Sequence, residues 1–239
     1  NALQAVCDAD ALHAAGIDPQ ARAEQLVEHP GPGQRDVELA VPGRVPLERR
    51  VARPRDRLER DFTAGAPDQR WVADITYVPT QAGWVYTTFI LDVFHREIVG
   101  WQVTNHLRES LARDALTMAL AAKFRAGEDV SGLVHHSDRG VQFRSIRYGE
   151  ALAESELVAS VGSRGDSYDN AMAEALNSVY KAELIDRRVW SGLIEVLAET
   201  SAWVAWYNQE RLHSAVGYRP PIEVHSEWVN QSAAEPVAA

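Results

Sequence analysis

Trp71-Val72-Ala73-Asp74-Ile75-Thr76-Tyr77-Val78 reads as a strand with one residue out of character. Aspartate is a poor strand former, and Asp74 has apolar neighbours on both sides, so its place there asks for a reason. Outward from this run the texture is regular. Gly83–Val93 is a second strand rich in Val, Tyr, Thr, Phe and Ile, and Glu97–Val103 is a third, with a tight turn at Phe94-His95-Arg96. Short connections make these three an antiparallel meander. Ser110–Arg125 carries Leu111, Ala115, Met118, Leu120 and Ala122 at the spacing of a helix that lays one face on a sheet. Leu133–His136 and Leu157–Val161 are short strands, with a helix at Ile146–Glu154 between them and a Gly-containing loop at 162–169 after them. Asn170–Glu183 and Gly192–Glu210 are long helices, the second striped with Leu193, Val196, Leu197, Thr200, Trp203 and Tyr207.

The order βββαβαβαα predicts an α/β fold with mixed strand directions. This is the ribonuclease H-like arrangement, a mixed five-stranded sheet flanked by helices. Two further acids gain meaning in that frame. Asp138 directly follows the fourth strand in His135-His136-Ser137-Asp138-Arg139-Gly140, and Glu174 sits a turn into a helix in Tyr168-Asp169-Asn170-Ala171-Met172-Ala173-Glu174. Each acid alone reads as a solvated charge or a helix cap, but a mid-strand position, an adjacent strand end and a neighbouring helix can converge on one point. Two unit charges about 4 Å apart repel by roughly 4 kcal/mol at an effective dielectric near 20, so such a cluster needs a proton or a cation. All-oxygen donors suit Mg²⁺ or Mn²⁺. Two such ions about 3.5–4 Å apart support in-line phosphoryl transfer.

From about Arg60 to Val224 the chain resembles the catalytic half of DDE transposases of the integrase-core superfamily, within it the bacterial insertion-sequence-three type. The resemblance rests on ordered motifs: Trp71 to Tyr77 around Asp74, Asp92 to Trp101 for the following hairpin, His136 to Phe143 around Asp138, and Ser163 to Ala171 leading to Glu174. The 35 residues between Asp138 and Glu174 match the family's spacing, and Trp206-Tyr207-Asn208, Arg211, His213 and Pro220 match its C-terminal signature. It implies hydrolytic nicking at an element's ends and attack of the freed 3′-OH on a target strand, with Asp74, Asp138 and Glu174 as catalytic residues and ligands of two Mg²⁺ ions, replaceable by Mn²⁺. It implies DNA, as transposon ends and target, as partner, a homo-oligomer at synapsis, and an upstream helix-turn-helix transposase product. A catalytically silent remnant that only binds DNA or partner subunits is the competing reading.

Lys181 lies two turns beyond Glu174 on the same helix face, where the family places a basic residue toward DNA. His136, Arg139, Arg164 and Asn170 stand near the acids as further DNA contacts. Asn208, Arg211 and His213 either bind DNA or tether the last helix. Asp169 reads as N-cap of the helix carrying Glu174. A zinc site at His135 and His136 is disfavoured, because strand neighbours point to opposite faces. Trp203 and Trp206 read as core.

The chain has 239 residues, 46% hydrophobic and 24% charged, with a formal charge of −10 that on its own argues against nucleic acid. Residues 61–239 carry 15 basic and 24 acidic residues, a net of −9, so this core should bind DNA weakly and with strong salt dependence. One cysteine, Cys7, excludes an internal disulfide framework. No apolar run reaches the roughly 18–20 residues that span a bilayer, which with the absence of a signal peptide predicts no membrane partner and a bacterial cytoplasmic, nucleoid-associated protein. Residues 1–58 read as an atypical segment ending in a basic linker, 59–225 as the core, and 226–239 as a flexible tail. Asn1 in place of Met, and the lack of a helix-turn-helix pattern over 1–55, suggest a truncated or frame-shifted start.

Overall fold

The computed structural model describes residues 54–138, 140–162 and 167–234. One sheet of five strands has the order β3-β2-β1-β4-β5. The antiparallel meander is β1 (Arg70–Thr80), β2 (Gly83–Asp92) and β3 (Ile98–Thr104). On the other side of β1, β4 (Val134–Ser137) and β5 (Val158–Val161) pair in parallel. The helices are α1 (Glu109–Ala126), α2 (Ile146–Glu154), α3 (Ala171–Glu183), α4 (Leu193–Gln209) and α5 (Pro221–Ala234). The expected mixed α/β sheet of ribonuclease H-like type is therefore the observed one.

β1 is the central strand, covered on both faces, which is why its apolar run is nearly continuous. Val72 and Val78 join Phe89 on the face packed by Leu176, Tyr180, Val196 and Trp203 of α3 and α4. Trp71 and Ala73 join Ile90 on the face packed by Ala112, Ala115 and Leu116 of α1 and Tyr148 and Leu152 of α2. The period of two puts Asp74 on the Val72 side, the side of α3.

The β2–β3 turn is organised by Asp92, which is fully buried. Its carboxylate accepts from the N–H groups of Asp68, Phe94 and His95 and from the Trp71 indole, and His95 Nδ1 lies 2.8 Å away. Burial pushes this carboxyl up, but His95 and the N–H donors outweigh it and hold it below the ordinary range. Burial likewise pushes His95 down, and its bonds to Asp92 and Glu97 reverse the shift, raising it to about 9.

The chain ends differ from the sequence reading. Residues 55–58, expected as linker, run along β5: Val161 N–H donates to Arg55 O, Arg57 N–H to Ser160 Oγ, and Leu58 is buried. The tail expected from 226 is helical as far as Ala234, a helix entered through Pro221 in its first turn. Asp169 lies in a short 3₁₀ turn (Ser167–Asn170) and pairs with Arg60 at 3.1 Å, while Asn170 occupies the cap position of α3. Asp169 is thus not the expected N-cap.

α1 approaches β3 closely because Gly100 faces the small residues Ala115 and Ala119. A Cβ at Gly100 would lie 2.4 Å from Ala115 O and 3.0 Å from Ala119 Cβ. Gly100→Ala is expected to displace the helix and lower stability by about 2–3 kcal/mol, the range of overpacked cores. Urea denaturation checks this, and an unchanged midpoint would contradict the close approach.

Candidate catalytic site

Parallel pairing of β1 with β4 sets Ala73 opposite Ser137, so Asp74 and Asp138 follow at neighbouring positions on adjacent strands. Strands so paired lie about 4.8 Å apart. Glu174 lies exposed in the first turn of α3. Asn170 Nδ2 donates to Ala73 O at 3.1 Å, fastening the start of α3 to β1 one residue before Asp74. The three predicted acids therefore gather on one side of the sheet.

Each carboxylate is held differently. Asp74 Oδ2 accepts from Asn177 Nδ2 at 2.9 Å, and Asp138 Oδ1 accepts from the Gly140 N–H at 2.9 Å. Burial first, then the charges of Asp138 and Glu174, push the Asp74 carboxyl up to about 7 against the lowering bonds from the Ile75 N–H and Asn177. Such a group favours either a proton or a nearby cation. The donors are all oxygen, and the buried Oδ1 atoms of Asn170 and Asn177 have no hydrogen-bond partner among the described residues. Among those residues, the triad's donor atoms do not all fall within 4.8 Å of one another. An open set of this kind suits a hard cation that keeps waters and accepts further oxygens.

Asn177, three residues after Glu174, is a positioning residue outside the set expected from the sequence. Its helical spacing was visible, but its bond to Asp74 joins residues 103 positions apart.

Of the residues expected to contact DNA, Lys181 lies in the last turn of α3, its ammonium 4.6 Å from the centre of the exposed Tyr77 ring. Arg139 and Arg164 lie outside the described residues. The others are engaged internally. His136 is fully buried, with Nδ1 2.8 Å from Ser160 Oγ and Nε2 2.8 Å from the Asp169 carbonyl, and burial holds its pKa below the ordinary value. It fastens β4 to β5 and to the turn before α3 rather than reaching phosphate. Asn170 is buried on Ala73. Asn208 brackets Ile98, accepting its N–H at 2.9 Å and donating to its carbonyl at 3.0 Å. Arg211 binds Glu183 through Nε and Nη2, and the buried His213 touches both Arg211 and the Tyr207 carbonyl. Of the two readings of the C-terminal signature, the tether is the one these contacts make.

His135 points the other way, its Nε2 3.0 Å from the Tyr148 hydroxyl, and burial together with His136 pushes it down to about 4. The two histidines cannot share an ion. Trp203 is core, whereas Trp206 is 41% exposed.

The fold and site together define a ribonuclease H-like sheet that carries three acids, one in β1, one directly after β4 and one in the following helix. Two models of the Integrase core domain match, over residues 64–167 and 156–221. Together these span residues 64–221, and the chain belongs to this integrase-core family; it is similar to transposases of insertion sequences. It is 45% identical over 196 residues to the transposase for insertion sequence element IS629 of Shigella sonnei, an alignment covering 82% of this chain and 64% of that protein. It is 42% identical over 183 residues to a putative transposase for IS986/IS6110 of Mycobacterium tuberculosis, covering 76% of this chain and 66% of that protein. The chain thus spans just under two thirds of these relatives' length. Among solved structures it resembles a chain of the simian T-cell lymphotropic virus intasome in complex with PP2A regulatory subunit B56 gamma, with a TM-score of 0.54 at 14% identity, covering 78% of this chain and 60% of that one. That likeness concerns the fold.

Asn208→Ala and Arg211→Ala are each expected to cost about 1–3 kcal/mol, since each strands buried or charged partners. Urea denaturation reads the loss. The salt dependence of DNA binding should stay unchanged, and a shallower slope for either variant would return that residue to the DNA surface.

Proposed function

We propose that this chain is the catalytic core of an insertion-sequence transposase, a DDE-type polynucleotidyl transferase that nicks DNA and joins the freed 3′ end to a target strand. The observation that carries the reading is the convergence of Asp74, Asp138 and Glu174, with Asp74 pushed to about 7 by burial and by the other two. Relatives named as transposases support the substrate class.

Asp74, Asp138 and Glu174 would hold two Mg²⁺ ions, with Mn²⁺ able to substitute. When bound, such ions activate a water or 3′-hydroxyl and stabilise the departing oxygen. Asn177 fixes the Asp74 carboxylate by donating to Oδ2. The Gly140 N–H does the same for Asp138. Lys181, steadied over Tyr77, would meet a phosphate of the bound strand as a point charge. The acidic core makes few such contacts, so recognition of element ends would come from a helix-turn-helix product supplied upstream, and joining two ends would need at least two copies of the core. No helix among the described residues is long and apolar enough to cross a membrane, in keeping with action on DNA in the cytoplasm, close to the nucleoid.

The deciding experiment is Mg²⁺-dependent nicking of a duplex that carries the element's terminal repeat, with the upstream product added. Asp138→Asn should slow nicking by about three orders of magnitude or more, equivalent to about 4 kcal/mol of lost transition-state stabilisation, with the fold intact. Equal cleavage by this variant would remove the mechanism.

A further inference from the structure

A second set of potential ligands lies outside the carboxylate site. We propose that His95, Glu97 and His225 form a transition-metal site, with zinc as the fitting ion, that fastens α5 to the β2–β3 turn. His95 Nε2 lies 2.8 Å from Glu97 Oε2, His225 Nδ1 lies 3.8 Å from the same oxygen, and the three donor atoms fall within 4.8 Å of one another. Zinc bonds of about 2.0–2.1 Å in a tetrahedral site separate ligand atoms by roughly 3.3 Å. Two of the separations lie within about half an ångström of that figure and all fall within 4.8 Å, so side-chain shifts of at most about 1.5 Å would close the set.

The surroundings resemble those of metal-bound histidines, whose second ring nitrogen is typically backed by a carboxylate that fixes the ring and its tautomer. Here Asp92 Oδ1 stands 2.8 Å from His95 Nδ1, and Glu128 Oε1 stands 3.6 Å from His225 Nε2. Without an ion, His95 Nε2–H donates to Glu97; zinc would displace that proton, and His95 Nε2 and His225 Nδ1, with their outer nitrogens facing carboxylates, would then present lone pairs beside Glu97. The rings lie 4.8 Å apart and 30° from parallel, and Phe94 packs on Trp228 of α5 beside them.

Charge and access point the same way. Asp68, Asp92, Glu97 and Glu128 meet here, while Lys123 serves Asp68 and Glu128 at 2.7 Å each. A divalent ion would answer the remaining negative charge. His95 is fully buried, whereas the Glu97 and His225 side chains keep 21% and 18% exposure, leaving an open side for entry and for water as fourth ligand. Two imidazoles with one carboxylate select zinc over magnesium, which separates this site from the all-oxygen triad.

The test uses the full chain carrying Asp138→Asn, so that the carboxylate site is weakened, stripped with a chelator and given equimolar zinc in millimolar Mg²⁺. One zinc per chain should survive gel filtration, counted by mass spectrometry. His225→Ala should lose it, and Glu128→Gln, which preserves side-chain shape, should bind zinc about 10–100-fold more weakly. Cobalt(II) added to the unmutated chain should show the strong visible bands of a tetrahedral site. Retention of zinc by a folded His225→Ala, undiminished affinity in Glu128→Gln, or no zinc retained by the parent chain would each overturn the proposal.

Discussion

Everything at the site depends on the parallel pairing of β1 with β4. Because Ala73 stands opposite Ser137, the next residue on each strand is an aspartate, and the two carboxylates are brought together by backbone hydrogen bonds that do not involve them. The arrangement is costly: Asp74 sits inside a strand whose neighbours Val72 and Ala73 are fully buried, and like charges stand nearby. It persists because β1 is packed on both faces by two apolar clusters, which over-determine the strand's register. A one-residue slip would turn Asp74 into the Trp71 face and break both cores. The hydrophobic sheet is therefore the device that holds the acids in an unfavourable place.

α3 completes this construction through amide side chains. Asn170 ties the start of the helix to Ala73, and Asn177 ties its second turn to Asp74 itself. Glu174 lies between these two fastenings, so its position relative to β1 follows from neutral hydrogen bonds rather than from any attraction between acids. His136 supports the same corner from β4, joining Ser160 to the carbonyl of Asp169.

The sheet and triad were legible in the sequence because both rest on local pattern. Strand periodicity marks β1 to β3 directly, and an aspartate in an apolar strand contradicts its surroundings. The roles of His136, Asn170, Asn208, Arg211 and His213 were not legible for the opposite reason. A polar side chain near a motif looks the same whether it meets phosphate or a carbonyl far along the chain, and Asn208 meets Ile98 across 110 positions. α5 escaped notice because Glu223, His225, Ser226 and Glu227 break any apolar stripe, although Pro221 marks its start. Its attachment through His225 is likewise a contact between distant segments.

The chain's charge of −10 shows the same limit of composition. Net charge carries no positions: it already includes Lys123 beside Asp68 and Glu128, Arg211 beside Glu183 and Arg60 beside Asp169, and leaves out only His95 beside Asp92. A paired acid contributes little potential beyond a Debye length of about 8 Å at physiological salt. Asp74, with a carboxyl pushed to about 7, is only partly ionised near neutrality before a cation arrives. A DNA strand nearing the site would meet Asp138 and Glu174 with Lys181 alongside, and cations that answer the acids would also attract phosphate oxygens. The total therefore does not set the potential at the site, where nearby charges dominate over distant, screened ones. Weak overall affinity for DNA is compatible with strand transfer, because the in-line geometry is set by carboxylates anchored in the sheet and not by the number of phosphates the surface neutralises.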